Sequence, residues 1–274
     1  MAQRVSYLRN EALPTVRPGY PGNKLFGNEF ANGEDLFEPS FGTVLKWQLS
    51  TNPQKEEKKA DTWAPAVVDC SGFLRGTDDG LVWLGHASFL LRIAGTTLLF
   101  DPVLFSSLGL RRRHALPCQP EDLTGIDYLL LSHGHRDHLD EKSIQLLARQ
   151  NPQLKALSSL RMQPLLRSMA PGLTVQEAGW WQRYDLGPDA PFDITYLPAA
   201  HWHRRGLADM NRVLWGSFLI QVNDKLIYFA GDTAYAEHFD AIEARFGPVD
   251  VVLMPIGAYK PAYMMNKSHV NPHE

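Results

Sequence analysis

The sequence predicts an α/β layered domain, and three observations carry that prediction. From Leu81 onward, short apolar runs alternate with stretches of helical period. Several runs come in pairs joined by tight turns, as hairpins do. One run, Asp127 to Leu131, leads straight into a dense histidine cluster, and a helical pattern starts just beyond it.

Residues 1–62 are rich in Pro, Gly and Asn, lack a sustained apolar period, and contain the charged run Lys55-Glu56-Glu57-Lys58-Lys59, read here as a solvated loop. They are expected to be an N-terminal wrapping arm for a domain over 63–274. Strands are predicted at 82–84 and 88–93, where Gly95 turns the chain into 97–100; this hairpin ends at Asp101-Pro102. The run 127–131 suits a short buried strand, and Asp140 is placed to cap a helix carrying Ile144, Leu146 and Leu147. Further strands are expected at 155–158, 173–176, 193–197, 214–222, 226–230 and 249–254, with helices at 162–169 and 236–246. The stretch from Ser88-Phe89-Leu90-Leu91 to Asp101 resembles the one from Ser217-Phe218-Leu219-Ile220 to Asp232. If this is more than coincidence, it predicts two similar sheet-bearing halves whose end loops meet at a shared site.

Composition narrows the function. With 27 Lys and Arg against 30 Asp and Glu, a net charge of −3, and no basic stripe, a nucleic-acid partner is not indicated. Cys70 and Cys118 lie in no Cys-x-x-Cys pairing, so they are read as packing residues or inert thiols rather than a zinc ribbon or redox dithiol. There is no signal-peptide core and no spanning apolar run, which gives a cytoplasmic expectation with peripheral membrane contact open.

Three of the ten histidines fall within six residues, His133, His135 and His138, interleaved with Asp137. In a tight loop, side chains two positions apart can converge on one ion while the next pair faces a neighbouring ion. Imidazole and carboxylate without thiolate suit zinc, iron or manganese. His201 and Asp232 each follow a predicted strand, and a carboxylate at Asp232 can bridge two cations. His203 is either a substrate contact or, the preferred reading, a solvated loop residue.

His-x-His-x-Asp-His after a strand, then His201, then Gly231-Asp232-Thr233, resembles the metallo-β-lactamase superfamily pattern from about residue 80 onward. Trp83-Leu84-Gly85-His86-Ala87-Ser88, Phe100-Asp101-Pro102, Pro198-Ala199-Ala200-His201-Trp202 and His269-Val270-Asn271-Pro272 are similar to the N-acyl-phosphatidylethanolamine-hydrolysing phospholipase D branch and its bacterial relatives. The resemblance implies an αββα four-layer sandwich with two metal ions, usually zinc. It places His133, His135 and His201 on the first ion, Asp137 and His138 on the second, and Asp232 between them. It gives His269 a catalytic or substrate-orienting role, makes Asp101 a support for the histidine loop, and lets His86 do similar work or be a satisfied core histidine. The family carries a further histidine ligand after another helix and strand. Here Asn271-Pro272-His273-Glu274 reads as a helix start with nothing after it, so the last helix and strand are expected to be missing and the second ion under-liganded.

The implied reaction is phosphodiester hydrolysis of a lipid or other small molecule by a metal-held hydroxide that Asp137 orients. Trp202 and Tyr259, with Trp180, Trp181, Tyr263, Met264 and Met265, are either a groove for acyl chains or core. A lactonase or other ester or amide hydrolase, and a non-catalytic metal-binding module, are the rival readings.

Overall fold

The computed structural model describes residues 4–33, 40–106, 112 and 114–274, so positions 1–3 and 34–39 of the expected arm lie outside it. Within the arm, β1 (Val5–Leu8), β2 (Asn23–Phe26) and β3 (Glu29–Phe30) form a small antiparallel sheet, followed by α1 (Phe41–Leu49) and α2 (Lys55–Ala60). The sheet has no periodic signature because its ties are remote in sequence. Val16 N–H donates to Trp181 O and Phe30 N–H to Asn211 O, both at 2.7 Å, and Leu13, Leu25 and Phe30 join the main core. The charged run at 55–59 is solvated as expected, but it is the helix α2 and not a loop. Glu56 and Glu57 occupy its first turn and Lys58 and Lys59 its last, which suits the helix dipole, and Lys59 pairs with Glu56 at 3.0 Å.

After α3 (Ser71–Arg75), six strands run in sheet order: β4 (Gly80–Gly85), β5 (Ser88–Ile93), β6 (Thr96–Phe100), β7 (Tyr128–Leu131), β8 (Lys155–Ser159) and β9 (Thr174–Ala178). The pairing is antiparallel to β6 and parallel from β6 to β9. Parallel neighbours need crossovers, and α4 (Glu141–Gln150) and α5 (Gln163–Met169) supply two of them. A second sheet holds β10 (Gln182–Arg183), β11 (Phe192–Leu197), β12 (Ser217–Val222), β13 (Lys225–Phe229) and β14 (Val251–Leu253). Its last pair is parallel and is bridged by α6 (His238–Phe246); α7 (Ala262–Met265) follows.

The two faces of the six-stranded sheet can be read from alternate residues. Leu98, Phe100, Leu130 and Leu157 face the core shared with the second sheet, whereas Leu99, Leu129, Leu131 and Ala156 face a core shared with Ile144 and Leu147 of α4 and Leu166 of α5. Phe100 meets Phe229 across the sheets with ring centres 4.8 Å apart, while Tyr228, one residue away, turns outward onto Phe239 of α6. The layers are therefore helix, sheet, sheet, helix, as expected. Residues 214–216, expected as strand, are loop instead. Leu214 N–H donates to Leu160 O and Gly216 N–H to Ser132 O, which takes them out of the ladder before β12 begins.

The two similar sequence stretches are the hairpins β5–β6 and β12–β13, one in each sheet, and their terminal aspartates, Asp101 and Asp232, come out at the same end of the stack.

Candidate metal centre

The loop from β7 to α4 is short because both of its ends are pinned. At one end Asp101 accepts from Ser132 N–H at 2.7 Å and from Ser132 Oγ at 2.5 Å. At the other, Asp140 caps α4 by accepting from Ser143 N–H at 2.9 Å, worth about 1 kcal/mol. Between them Leu139 N–H donates to His135 O at 2.9 Å, which closes a turn and throws the four side chains inward. A Cβ on Gly134 would lie 2.5 Å from His203 Nε2, so any other residue there would have to displace the buried His203 ring.

Hydrogen bonds on the far side of each ring fix which nitrogen faces the centre. Ser132 Oγ gives its proton to Asp101, so it accepts from His133 Nδ1–H at 2.9 Å. His201 Nδ1–H donates to Ser268 O at 2.9 Å, and His138 Nδ1–H to Asp101 Oδ2 at 2.8 Å. The Nε2 atoms of all three rings then point inward. His133 Nε2 is 2.9 Å from His135 Nδ1, and His201 Nε2 is 3.2 Å from the same atom. Burial holds His133 and His135 well below the ordinary imidazole range and lowers His201 to about 4. One proton on His135 cannot satisfy three mutually facing nitrogens, whereas a cation among them would.

A second cluster adjoins the first. Asp137 Oδ2 lies 3.3 Å from His86 Nε2 and 3.9 Å from His138 Nε2. Asp232 Oδ2 is 3.2 Å from His138 Nε2 and 3.9 Å from both His201 Nε2 and His269 Nδ1, a position between the two groups. His138 Nε2 is wholly buried without a hydrogen bond of acceptable geometry, as a donor atom awaiting a cation would be. The donor sets His133–His135–His201 and His86–Asp137–His138 each fall within a 4.8 Å span. Burial would raise both carboxyls, but the hydrogen bond from His86 and the charge on His138 hold Asp137 well below the usual carboxylate range, and His138, His201 and His269 do the same for Asp232. Burial works against protonation of His138, yet Asp232 and Asp101 outweigh it and hold the ring well above its ordinary range.

These directions give the metal-free chain a specific pH profile. His138 gains a proton on folding, so its contribution is complete below about pH 6.5 and is lost as pH rises through its raised value. His201 and His238 are both lowered to about 4 by burial, and they refuse protons that the unfolded chain accepts below pH 6.5. The thermal midpoint should therefore peak near pH 6.5 and fall toward pH 4, and His238→Gln, outside the clusters, should flatten the acid limb. A midpoint still rising between pH 6.5 and 4 would contradict these assignments.

The remaining expected residues are placed as follows. His269 is not an exposed terminal histidine; it is 14% exposed and hangs beside Asp232 because Val270 N–H donates to Thr233 O at 2.7 Å. His86 is not a core histidine, since its side chain is 55% exposed and faces Asp137 from the solvent side. The solvated reading of His203 is corrected too: it is buried beneath Gly134 and stacks on His135. Trp202 packs edge-on against His135 at 4.7 Å. Tyr259 carries Lys260 Nζ over its ring and is not among the residues lining the apolar cavity beside the centre. Trp180 and Trp181 are core. An apolar cavity of about 790 Å³ does reach the centre, but it is walled by Val67, Val68, Phe73, Leu81 and Trp83 and ends at His86 and Asp137. Sequence reading missed Arg205, which donates to Gly134 O and Leu139 O at 3.0 Å and brackets the loop, and Arg112, which donates to Val103 O and Leu84 O in the cavity wall. Both bind backbone carbonyls, which leave no trace in side-chain patterns.

Residues 96–274 match the family described as the Beta-lactamase superfamily domain. The chain belongs to that superfamily. Its clustered His and Asp side chains, in this family, mark a metal-dependent hydrolase. Among curated relatives of this superfamily member, the N-acyl-phosphatidylethanolamine-hydrolyzing phospholipase D 1 of Caenorhabditis elegans is 29% identical over 96% of the chain and 82% of its own length. The mitochondrial enzyme of the same description from Saccharomyces cerevisiae is 31% identical over 70% of the chain, which spans 42% of that protein. An isothiocyanate hydrolase from Delia radicum gut bacteria shares the fold, with a TM-score of 0.54 at 22% identity over 69% of the chain and 76% of its own. Among the described residues, no helix is long and apolar enough to cross a membrane.

Proposed function

We propose that the chain is a phosphodiesterase acting on a phospholipid-like substrate of the N-acylphosphatidylethanolamine type, with two zinc ions held by His133, His135, Asp137, His138, His201 and Asp232. The observation that carries this reading is the apolar cavity that ends at Asp137 and His86, because it sets room for an acyl chain beside a site built for anionic oxygen. The nematode and yeast relatives, named for hydrolysis of that lipid, support the choice of substrate. A bound divalent pair supplies Lewis acidity and makes hydroxide accessible near neutral pH. The chain's own residues do the rest. Asp137, ionised and half-exposed, orients the attacking water and takes its proton, while His86 steadies that carboxylate from outside. His269, held beside Asp232, meets the departing oxygen. Val68 and Trp83, exposed at the cavity wall, give the mouth an apolar rim suited to peripheral contact with a lipid surface. In this reading the arm over 1–62 covers the catalytic domain over 63–274.

The test pairs elemental analysis with hydrolysis of a phosphodiester dye, an N-acylphosphatidylethanolamine and a lactone. Two transition-metal ions per chain and chelator-sensitive phosphodiester turnover are expected. Turnover of the lactone alone would move the reaction to carbonyl centres; ions without turnover would make the chain a metal-binding module.

A further inference from the structure

The chain has two cysteines, far apart in sequence, and the fold puts them side by side. Cys70 N–H donates to Pro117 O at 2.8 Å, which lays the end of the 65–70 segment along 117–118. Cys118 directly follows Pro117, so this one bond sets the two cysteines at neighbouring backbone positions, the proximity that a disulfide requires. Both side chains are buried in one apolar cluster, and they lie near enough to each other for each thiol to shift the other's titration. Cys70 and Pro117 also line the cavity that ends at Asp137 and His86. The absence of a Cys-x-x-Cys motif therefore did not exclude a dithiol.

We propose that Cys70 and Cys118 form a reversible thiol–disulfide pair, oxidised by a low-molecular-weight disulfide that enters through the cavity, and that the bridge ties the 65–70 segment to the 114–118 loop across the cavity wall. Cys70, which faces the cavity, attacks one sulfur of the small disulfide, forming a mixed disulfide and expelling one thiolate. Cys118 then attacks the Cys70 sulfur and expels the second thiolate. The two cysteine protons end on the two expelled thiolates, so one disulfide is reduced to two thiols as one is formed. Burial raises both thiols, Cys118 to about 12, so exchange is slow at neutral pH and quickens as pH rises. The inference rests on packing alone and stands apart from the reading of the metal centre.

The full chain is incubated with oxidised glutathione at mildly alkaline pH, denatured, alkylated and weighed intact. The expected product is a monomer with neither cysteine alkylated, lighter by two hydrogens, carrying no glutathione, and with a thermal midpoint above that of the reduced chain. Dithiothreitol restores two alkylatable thiols. Cys118→Ser should stop at a glutathione adduct on Cys70, and Cys70→Ser should leave Cys118 unmodified. Should either variant fail to fold, the wild-type masses decide alone. Two alkylatable thiols after prolonged exposure, glutathione retained on the wild-type chain, or a bridge between chains would each overturn the proposal.

Discussion

Asp137→Asn should lower kcat by roughly 10²–10⁴-fold on whichever substrate the enzyme turns over, the range lost when a positioned proton acceptor is removed. Three features concentrate the effect on chemistry rather than folding. The side chain is 38% exposed, and the contact that most favours its charge is with His86, itself half-exposed. Asn has the same shape, so packing is preserved. The carboxylate is ionised far below neutral pH, so the substitution removes a charge that is present under assay conditions. Stability should fall by no more than about 1 kcal/mol, because the charge contacts that are lost are partly exposed and screened by solvent. The measurement is steady-state kinetics beside a denaturant titration of the same preparation. Full activity in a folded Asp137→Asn protein would remove this residue from the mechanism.

Asp101→Ala should do the opposite and strike the scaffold first. Asp101 is wholly buried and accepts from Ser132 N–H, Ser132 Oγ and His138 Nδ1. Alanine leaves three buried donors without an acceptor, each costing about 1–3 kcal/mol, and part of that is recovered as Ser132 Oγ and His133 rearrange. A net loss of about 3–5 kcal/mol is expected, close to what breaking a buried charge pair costs. Metal affinity should fall about 10–100-fold, because His138 loses the bond that fixes its tautomer. Asp101→Asn separates the two effects. Its carbonyl can still accept from Ser132, but its amide presents a donor where His138 needs an acceptor, so affinity should suffer more than stability. Chelator competition and equilibrium unfolding read the two quantities independently. If the alanine variant unfolded at the wild-type midpoint, the pinning role of Asp101 would be wrong.

What was legible in the sequence was what the sequence encodes locally. The strands β5 to β8 alternate Leu and Phe between two cores over four to six residues, and the histidine loop packs its donors into six positions. The N-terminal sheet was not legible, because Phe30 of β3 bonds to Asn211 and the adjoining Asn10, Thr15 and Val16 bond to Trp181 and Gln182, partners that come 165 to 181 residues later. Nor was the helix at Lys55–Ala60, whose stability comes from charge order rather than apolar spacing. His203 and Arg205 illustrate the same limit within the site: one fills the space above a glycine and the other caps carbonyls, and neither task needs a motif. Sequence logic left Trp180 and Trp181 open between groove and core. The structure sends them to the core and walls the cavity with Val67, Val68 and Phe73, residues from a stretch without period.

One imidazole, His138, lies between the aspartates that end the matching hairpins of the two sheets: its Nδ1 is hydrogen-bonded to Asp101 at 2.8 Å and its Nε2 faces Asp232 at 3.2 Å. Each sheet on its own holds only part of the donor set: the β7 loop brings four side chains, and the ends of β11 and β13 bring His201 and Asp232. A cation can reach its full complement only after the halves have docked in register. Its occupancy therefore reports on assembly as much as on chemistry. By mass action, a free ion at a thousand times its dissociation constant favours the docked state by about 4 kcal/mol, a large share of a typical domain's stability. Chains whose halves meet out of register forgo that gain, so the ion acts as a thermodynamic inspector of the joint between the two sheets.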